Sequence, residues 1–580
     1  MRTVDAVRAE AKAFNSSAVR VEFASGAFSE GGLNGSGELI GIAPAVVILL
    51  LAFGSIIAMG VPIVTALIGV GIGVTSLGLW ARVVDTPEFT TQVAVMVGLG
   101  VGIDYALFII TRFRHALALG ASPSEALAEA IGTAGRAVVF AGSIVMVSLL
   151  GMILIGLPFL RGLALGTAST VLVAVLAAIT LLPALLSLLG RRVGARAKRA
   201  AVSEKETLWH RWGRLVQRRA AVFAVAGAAL LSALVLPVGW MHLASADHGN
   251  DVKGSTTREA YDLISWGFGR GVNGPLVIAA ATPDDASRNA LIALETALGT
   301  TTGVAAVLGV SPNADNTAAA ISIVPTTGPQ DRATASLVHR LRNDVITRAS
   351  RGNNLEAHVG GQTASDIDFA QIMSSRLPIF MGSVLAFSFL LLMLVFGSLL
   401  VPLKAVVLNL LSIGAAYGAM VAVFQWGWFG SLLGVTGGAP IEPRAPMMLF
   451  AIVFGLSMDY EVFLLTAIKE RFDQTGDNSE AVTSGLASTA RVITAAAAIM
   501  VMVFGGFLTN GDRSIKMIGF GLAAAVLIDA TVVRMLLVPA TMELLGARNW
   551  WMPKWLRRVL PTVSLEPTTR RPMAADLQRA

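Results

Sequence analysis

The 580-residue chain contains no cysteine, which excludes disulfide bridges, thiolate chemistry and Cys-ligated zinc or iron–sulfur centres. Charge is scarce as well. Only 14% of residues are Asp, Glu, Lys or Arg, where a soluble protein of this size carries roughly 25%. No Walker phosphate loop is present, and "GLGVG" at 98–102 lacks the soluble βαβ unit that would make it a nucleotide loop. The six histidines lie scattered in loops and in a central polar stretch, and read as ordinary surface residues. What the chain does have is apolar sequence, at 54% hydrophobic residues and a mean hydropathy of +0.70. These residues fall in runs of about 20, each long enough to cross a bilayer. The composition is that of a polytopic membrane protein.

Spans are expected at 40–60, 62–81, 91–111, 137–157, 162–189, 220–240, 377–397, 401–424, 446–467, 492–508 and 515–540, eleven in all. Lys and Arg in the loops set the orientation. The segment 191–219 holds ten of them, the loop after 111 adds Arg112, Arg114 and Arg136, and the loop after 467 adds Lys469, Arg471 and Arg491. Seven more lie beyond 541. Alternate threading places all of these on one side, the cytoplasm. The net charge of +7 is thus an orientation signal, and no nucleic-acid partner is expected. The chain divides into residues 1–38 outside, a first repeat of five spans at 39–190, a basic cytoplasmic loop at 191–219, a span at 220–240, an outer domain at 241–376, five further spans at 377–545 and a cytoplasmic tail at 546–580.

Within the outer domain a helical opening at 256–268 precedes strands at 274–281, 303–310, 318–325 and 355–361, with helices at 286–299 and 331–350. The order is β-α-β-β-α-β, the ferredoxin-like split unit.

The membrane part is duplicated. "GLGVGIDYALFII" (98–110) returns as "FGLSMDYEVFLL" (454–465) at an offset of 459 − 104 = 355, which pairs Gly100 with Gly455, Tyr105 with Tyr460 and Phe108 with Phe463. "PSEALAEAIGTAGR" (123–136) meets "NSEAVTSGLASTAR" (478–491) at the same offset, and "LLPALLSLLG" (181–190) meets "LVPATMELLG" (537–546) at 356. Upstream, "AFGSII" (52–57) matches "VFGSLL" (395–400). Such internal repeats are common in transporters.

Asp104 and Asp459 sit near the midpoints of their spans, where an Asp costs about 2.5–3.5 kcal/mol on insertion scales. One reading is a protonated carboxyl serving as packing glue. The other is a proton relay, since an apolar surrounding favours the neutral acid and lets it load and release a proton in the working range. Tyr105 and Tyr460 lie about 100° around the helix from their own aspartates, placed to reach the carboxylate of the facing repeat. Gly100 and Gly455, on nearly the same face as the aspartates, are expected to let the two helices approach closely. Asp529 and Arg534 have Val173 and Ala178 as counterparts in the first repeat. They either bias the relay asymmetrically or form an internal ion pair with a neighbouring helix. Glu461 reads as lumen-facing or paired, and Glu125 and Glu480 as helix caps.

The doubled GxxxDY phrases, the "FGS" spans and "DATVVRMLLVPA" (529–540) resemble the MMPL family (mycobacterial membrane protein large) of the resistance-nodulation-division superfamily, over residues 19 to 546. The resemblance implies a duplicated helix bundle of that superfamily with one α+β ferredoxin-like extracytoplasmic porter domain. It implies that Asp104, Tyr105, Asp459 and Tyr460 form a proton relay, with Phe108 and Phe463 in the packing between helices. It further implies proton-driven export of lipids or amphipathic molecules across the cytoplasmic membrane, protons as the coupling ion without a cofactor or metal, and homo-oligomers or cell-envelope accessory proteins as partners beside membrane lipids. The family pattern has twelve spans and two porter domains, so residues 1–38 are expected to be the remnant of a truncated first porter domain, "VRVEFASGAFSE" (19–30) resembling the last strand of the outer domain, "EAHVGGQTASD" (356–366). Two other functions remain open. One is a non-transporting accessory or lipid-binding protein. The other is an intramembrane aspartyl protease, against which stand the DY order, the extra residue in "GVGID" (100–104) and the duplication. Sterol-sensing and SecD/SecF-type proteins share the duplicated spans, but the doubled DY and "DATVVRMLLVPA" favour MMPL.

Overall fold

A computed structural model describes residues 2–15, 19–24, 36–194, 208–435 and 437–559. Among these, ten helical segments are long and apolar enough to cross a membrane: Ile56–Trp80, Thr90–Ala118, Pro123–Ile155, Pro158–Leu189, Ala220–Trp240, Gln362–Phe396, Leu400–Gln425, Arg444–Thr475, Asn478–Thr509 and Arg513–Trp550. The 18-residue helix Ser36–Phe53 fills most of the first expected span. Helices are the natural outcome, because hydrocarbon offers no partner to a free backbone N–H or C=O.

The segment boundaries differ from the hydropathy reading in an instructive way. The first two spans part at Gly54 and Ser55, several residues before the expected gap at 61. Gly54 has φ +62°, a left-handed turn open to glycine, and the Ser55 hydroxyl caps the next helix by accepting from the Ala58 amide. The second repeat breaks in the same manner, with Gly397 at φ +59° and Ser398 Oγ accepting from the Val401 amide at 3.2 Å. Other helices overshoot their apolar runs. Ser122 and Asp477, 355 residues apart, each cap a helix that begins well before the hydrocarbon part. Glu125 closes a capping box with Ser122, whereas at the second site Asp477 receives the first amides, Glu480's among them. Hydropathy registers only the stretch in lipid, while capping decides where the helix starts.

The Asp104 helix (Thr90–Ala118) and the Asp459 helix (Arg444–Thr475) form the centre of the bundle, each with 94% of its apolar window buried, against 11% for the peripheral Ala220–Trp240. On the basic side, the segment 191–219 is not all loop. Leu208–Arg218 is a helix whose Trp212 Nε1 donates to the Met535 carbonyl at 2.8 Å.

In the outer domain β1 (Leu276–Ala281), β2 (Val304–Pro312), β3 (Ala318–Pro325) and β4 (Glu356–Gly360) form one antiparallel sheet in the order β2-β3-β1-β4. With the helices Asp285–Gly299 and Arg332–Ala349 (the latter with a π-helical turn at Leu341–Ile346) this is the split βαββαβ unit. Register places Leu276 opposite Ile323 and Ile278 opposite Ile321 and Val359. These residues share one buried layer with Leu291, Leu294, Leu298, Leu337 and Leu341 of the two helices. Helix Gln362–Phe396 then runs without interruption from this domain into the membrane. Near the amino terminus, residues 19–24 form no strand and lie against helix Thr256–Phe268, with Arg20 Nη2 2.6 Å from Glu259 and the Phe23 amide donating to Thr256 Oγ1. The rest of the segment resembling a strand, 25–30, lies outside the described residues.

Candidate functional site

The two central helices face each other where the repeats meet, and side chains at equivalent positions reach across between them. The Tyr105 hydroxyl donates to Asp459 Oδ2 at 2.7 Å, wholly buried. Phe108 packs on Phe463 with ring centroids 4.5 Å apart and on Tyr460 at 6.0 Å. The symmetric partner is open. Tyr460 faces Asp104, but its hydroxyl makes its hydrogen bond to Met500 Sδ at 3.5 Å, and both Asp104 oxygens lack a hydrogen-bond partner among the described residues. One Asp–Tyr pair is therefore closed, while in its mirror image the Tyr460 hydroxyl stands by the 2%-exposed Asp104 carboxyl but outside hydrogen-bond geometry.

Gly100 and Gly455 do not face each other, contrary to the expectation from the sequence. Gly455 lies on helix Arg136–Leu150, where an added Cβ would come within 2.9 Å of Val145 Cα, and Gly100 lies under the Phe504 ring of helix Asn478–Gly506. Each glycine thus admits a helix of the opposite repeat beside the aspartate helix. Two phenylalanines, Phe108 and Phe463, and two phenols, Tyr105 and Tyr460, make the contacts between the aspartate helices instead.

A second polar cluster lies in the second repeat alone. Arg534 is fully buried and donates through Nε to Asp529 Oδ2 at 3.1 Å, while its Nη1 stands 3.4 Å from Glu461 Oε2. Its Nη2 donates to both the carbonyl and the hydroxyl of Ser457. Ser457 Oγ bridges Asp529 Oδ1 at 3.0 Å and Asn409 Oδ1 at 2.8 Å. The Nζ of Lys404 is buried nearby and donates no hydrogen bond among the described residues. Two cations and two acids balance, which is how charge survives in a low-dielectric interior. Arg534 pairs both within its own helix and with Glu461 of the neighbouring one.

No cluster of three or more His, Asp or Glu side chains among the described residues is arranged to hold a metal ion. The chain matches the MMPL family over residues 3–223 and 280–570. The chain belongs to the MMPL family. Members of this family are membrane transporters and not enzymes. The membrane protein YdfJ of Bacillus subtilis is 38% identical over 537 residues, covering 92% of this chain and 73% of that protein. The mycolic acid-containing lipids exporter MmpL11 of Mycolicibacterium smegmatis is 36% identical over 551 residues, 92% of this chain but 57% of that protein's length. Among solved structures, SecDF, a translocon-associated membrane protein from Thermus, has the same fold with a TM-score of 0.51 at 14% identity, covering 88% of this chain and 62% of that one.

In this MMPL chain the polar cluster has an apolar mirror image. Ser457, Asn409 and Asp529 touch one another in the second repeat. In the first, Gly102 abuts Ala66 and Ala174, so that a Cβ on Gly102 would lie 3.1 Å and 3.9 Å from their Cβ atoms. The counterpart of Asp529 is therefore Ala174, not Val173. The correction has a physical cause. A π-helix spans Asp529–Leu537, and such a turn absorbs one extra residue. Gly166 and Gly521 still match at 355 before it, and Pro183 and Pro539 match at 356 after it. Lys404, Asn409 and Ser457 had escaped the sequence reading. Their signal was there, as polar side chains inside apolar runs, but none has a polar partner at the equivalent position of the other repeat.

Proposed function

We propose that this chain exports lipids or other amphipathic molecules across the cytoplasmic membrane, driven by protons that pass through Asp104, Tyr105, Asp459 and Tyr460, with its basic loops and carboxyl terminus inside. The observation that carries the proposal is the lone buried carboxyl of Asp104, facing across the repeat interface a closed Tyr105–Asp459 hydrogen bond. A proton on Asp104 would cancel its charge while the Tyr460 hydroxyl is turned to Met500. A proton on Asp459 would remove the negative charge that holds Tyr105. The two pairs then have reason to open and close in alternation, shifting one repeat against the other. Each proton moved inward supplies about 2.3 kcal/mol per 100 mV. The one-sided cluster around Arg534 supports an uneven relay, because Asp459 has a cation nearby and Asp104 has none among its interactions. The name of the relative MmpL11, an exporter of mycolic acid-containing lipids, supports a lipid as cargo.

The test is transport of a fluorescent phospholipid in proteoliposomes holding the full chain. Transport should start on imposing a pH gradient and stop with a protonophore. Transport indifferent to the gradient would contradict the proposal.

A further inference from the structure

Where the outer domain meets the membrane helices lies a cavity of about 620 Å3, within the size range of small-molecule sites. Its floor is fixed by the chain passing between the two parts. The His242 amide donates to Gln425 Oε1 at 2.8 Å, Gln425 Nε2 donates to the Trp240 carbonyl at 2.8 Å, and Leu243 bridges to Ile441. The cavity is lined by charge of both signs, most of it already paired. Arg258 Nε holds Asp262 at 2.8 Å and Arg270 lies 3.3 Å from Asp331. Asp247 accepts from the Tyr261 hydroxyl at 3.1 Å and the Gly249 amide at 2.9 Å, and burial draws its carboxyl toward the neutral form.

Two lining groups are left over, and both are bases. The Arg332 guanidinium has no ion pair or hydrogen bond among the described residues. The His242 ring is half-buried beside it, likewise without a hydrogen bond. Its pKa is held below the usual value by burial and then by Arg332, against the opposing pull of Asp331. From sequence alone His242 is expected to be an ordinary surface residue; in the structure it lines this cavity.

The surroundings say what kind of anion fits. Trp240, two residues before His242, packs edge-on against Trp426, which adjoins Gln425, and Trp426 packs against Trp428. Trp240, Trp428, Phe429 and Leu432 leave 57–81% of their surface exposed. Tryptophans gathered at the outer ends of membrane helices mark the headgroup level. A charged cavity therefore shares a wall with an exposed apolar ladder.

We propose that this cavity is a headgroup subsite for an anionic amphiphile, the anion meeting Arg332 and His242 while the acyl chain lies along the Trp240–Trp426–Trp428 ladder. The assignment does not depend on the proton relay, so the two can fail separately.

The test uses the full chain in phosphatidylcholine nanodiscs, with calorimetric titration of dodecyl phosphate, inorganic phosphate and dodecyl maltoside. Dodecyl phosphate should bind at least about tenfold more tightly than either of the others. Arg332→Gln and His242→Gln should each weaken it severalfold. Arg332 holds nothing in place, so Arg332→Gln reports on binding and not on folding. Equal binding of inorganic phosphate would make this a free-anion site, equal binding of dodecyl maltoside would remove the charge requirement, and unchanged affinity in Arg332→Gln would place the binding elsewhere. Any of the three overturns the proposal.

Discussion

Tyr105 and Tyr460 occupy equivalent positions and differ in what they hold, so removing each hydroxyl has unequal consequences. Tyr105→Phe takes the donor from a buried Asp459 oxygen and should cost about 1–2 kcal/mol of stability. Tyr460→Phe gives up a contact to a thioether and should cost clearly less; thermal unfolding in detergent compares the two. Arg534→Met should be the most damaging of the buried substitutions, by about 3–5 kcal/mol, because Asp529 and Glu461 would keep their burial and lose their cation. Adding Asp529→Asn should recover part of that loss, and a double variant no better than the single one would argue that the cluster is not held by charge pairing. The aspartates and tyrosines were legible because duplication repeats them. Of the cluster around Arg534, the sequence marks Asp529, Arg534 and Glu461 by their charge but not Lys404, Asn409 and Ser457, because the other repeat fills the places of Asn409, Ser457 and Asp529 with Ala66, Gly102 and Ala174, and a comparison of repeats is blind to what only one of them has.

Among the elements, the helices and the four strands followed from runs and alternation in the sequence, and their ends did not. Breaks at Gly54 and Gly397 are set by a left-handed turn, and starts at Ser122 and Asp477 by caps; neither signal is hydropathic. The step of the repeat offset from 355 to 356 shows that one residue is inserted but not where, and the π-helix Asp529–Leu537 that absorbs it is not marked by hydropathy. The two glycines of the repeated motif give a prediction at this scale. Gly455→Ala would press a Cβ against the backbone of helix Arg136–Leu150, which cannot yield locally, whereas Gly100→Ala meets only the end of the Phe504 ring. Gly455→Ala should therefore destabilise by about 1–3 kcal/mol and Gly100→Ala by less, read from thermal unfolding of the purified variants. Equal losses would mean that the two helix contacts are interchangeable.

At the scale of the whole molecule, the absence of cysteine makes orientation directly measurable. Single cysteines at the exposed Asp315 and Glu470 positions should behave oppositely toward a membrane-impermeant maleimide in intact spheroplasts. Asp315→Cys should label at once, and Glu470→Cys only after permeabilisation; the reverse would invert the orientation that Lys and Arg imply. The relay itself is the heart of the account, and it joins both repeats, so it should fail when either half is disabled. The most direct measurement is gradient-driven lipid transport in proteoliposomes by Asp104→Asn and Asp459→Asn, each first shown to insert and to unfold near the parent temperature. Asn keeps the shape of the side chain and cannot carry the proton. Transport should vanish in both variants. Transport at the parent rate in either one would mean that the buried aspartates are packing and not a proton path.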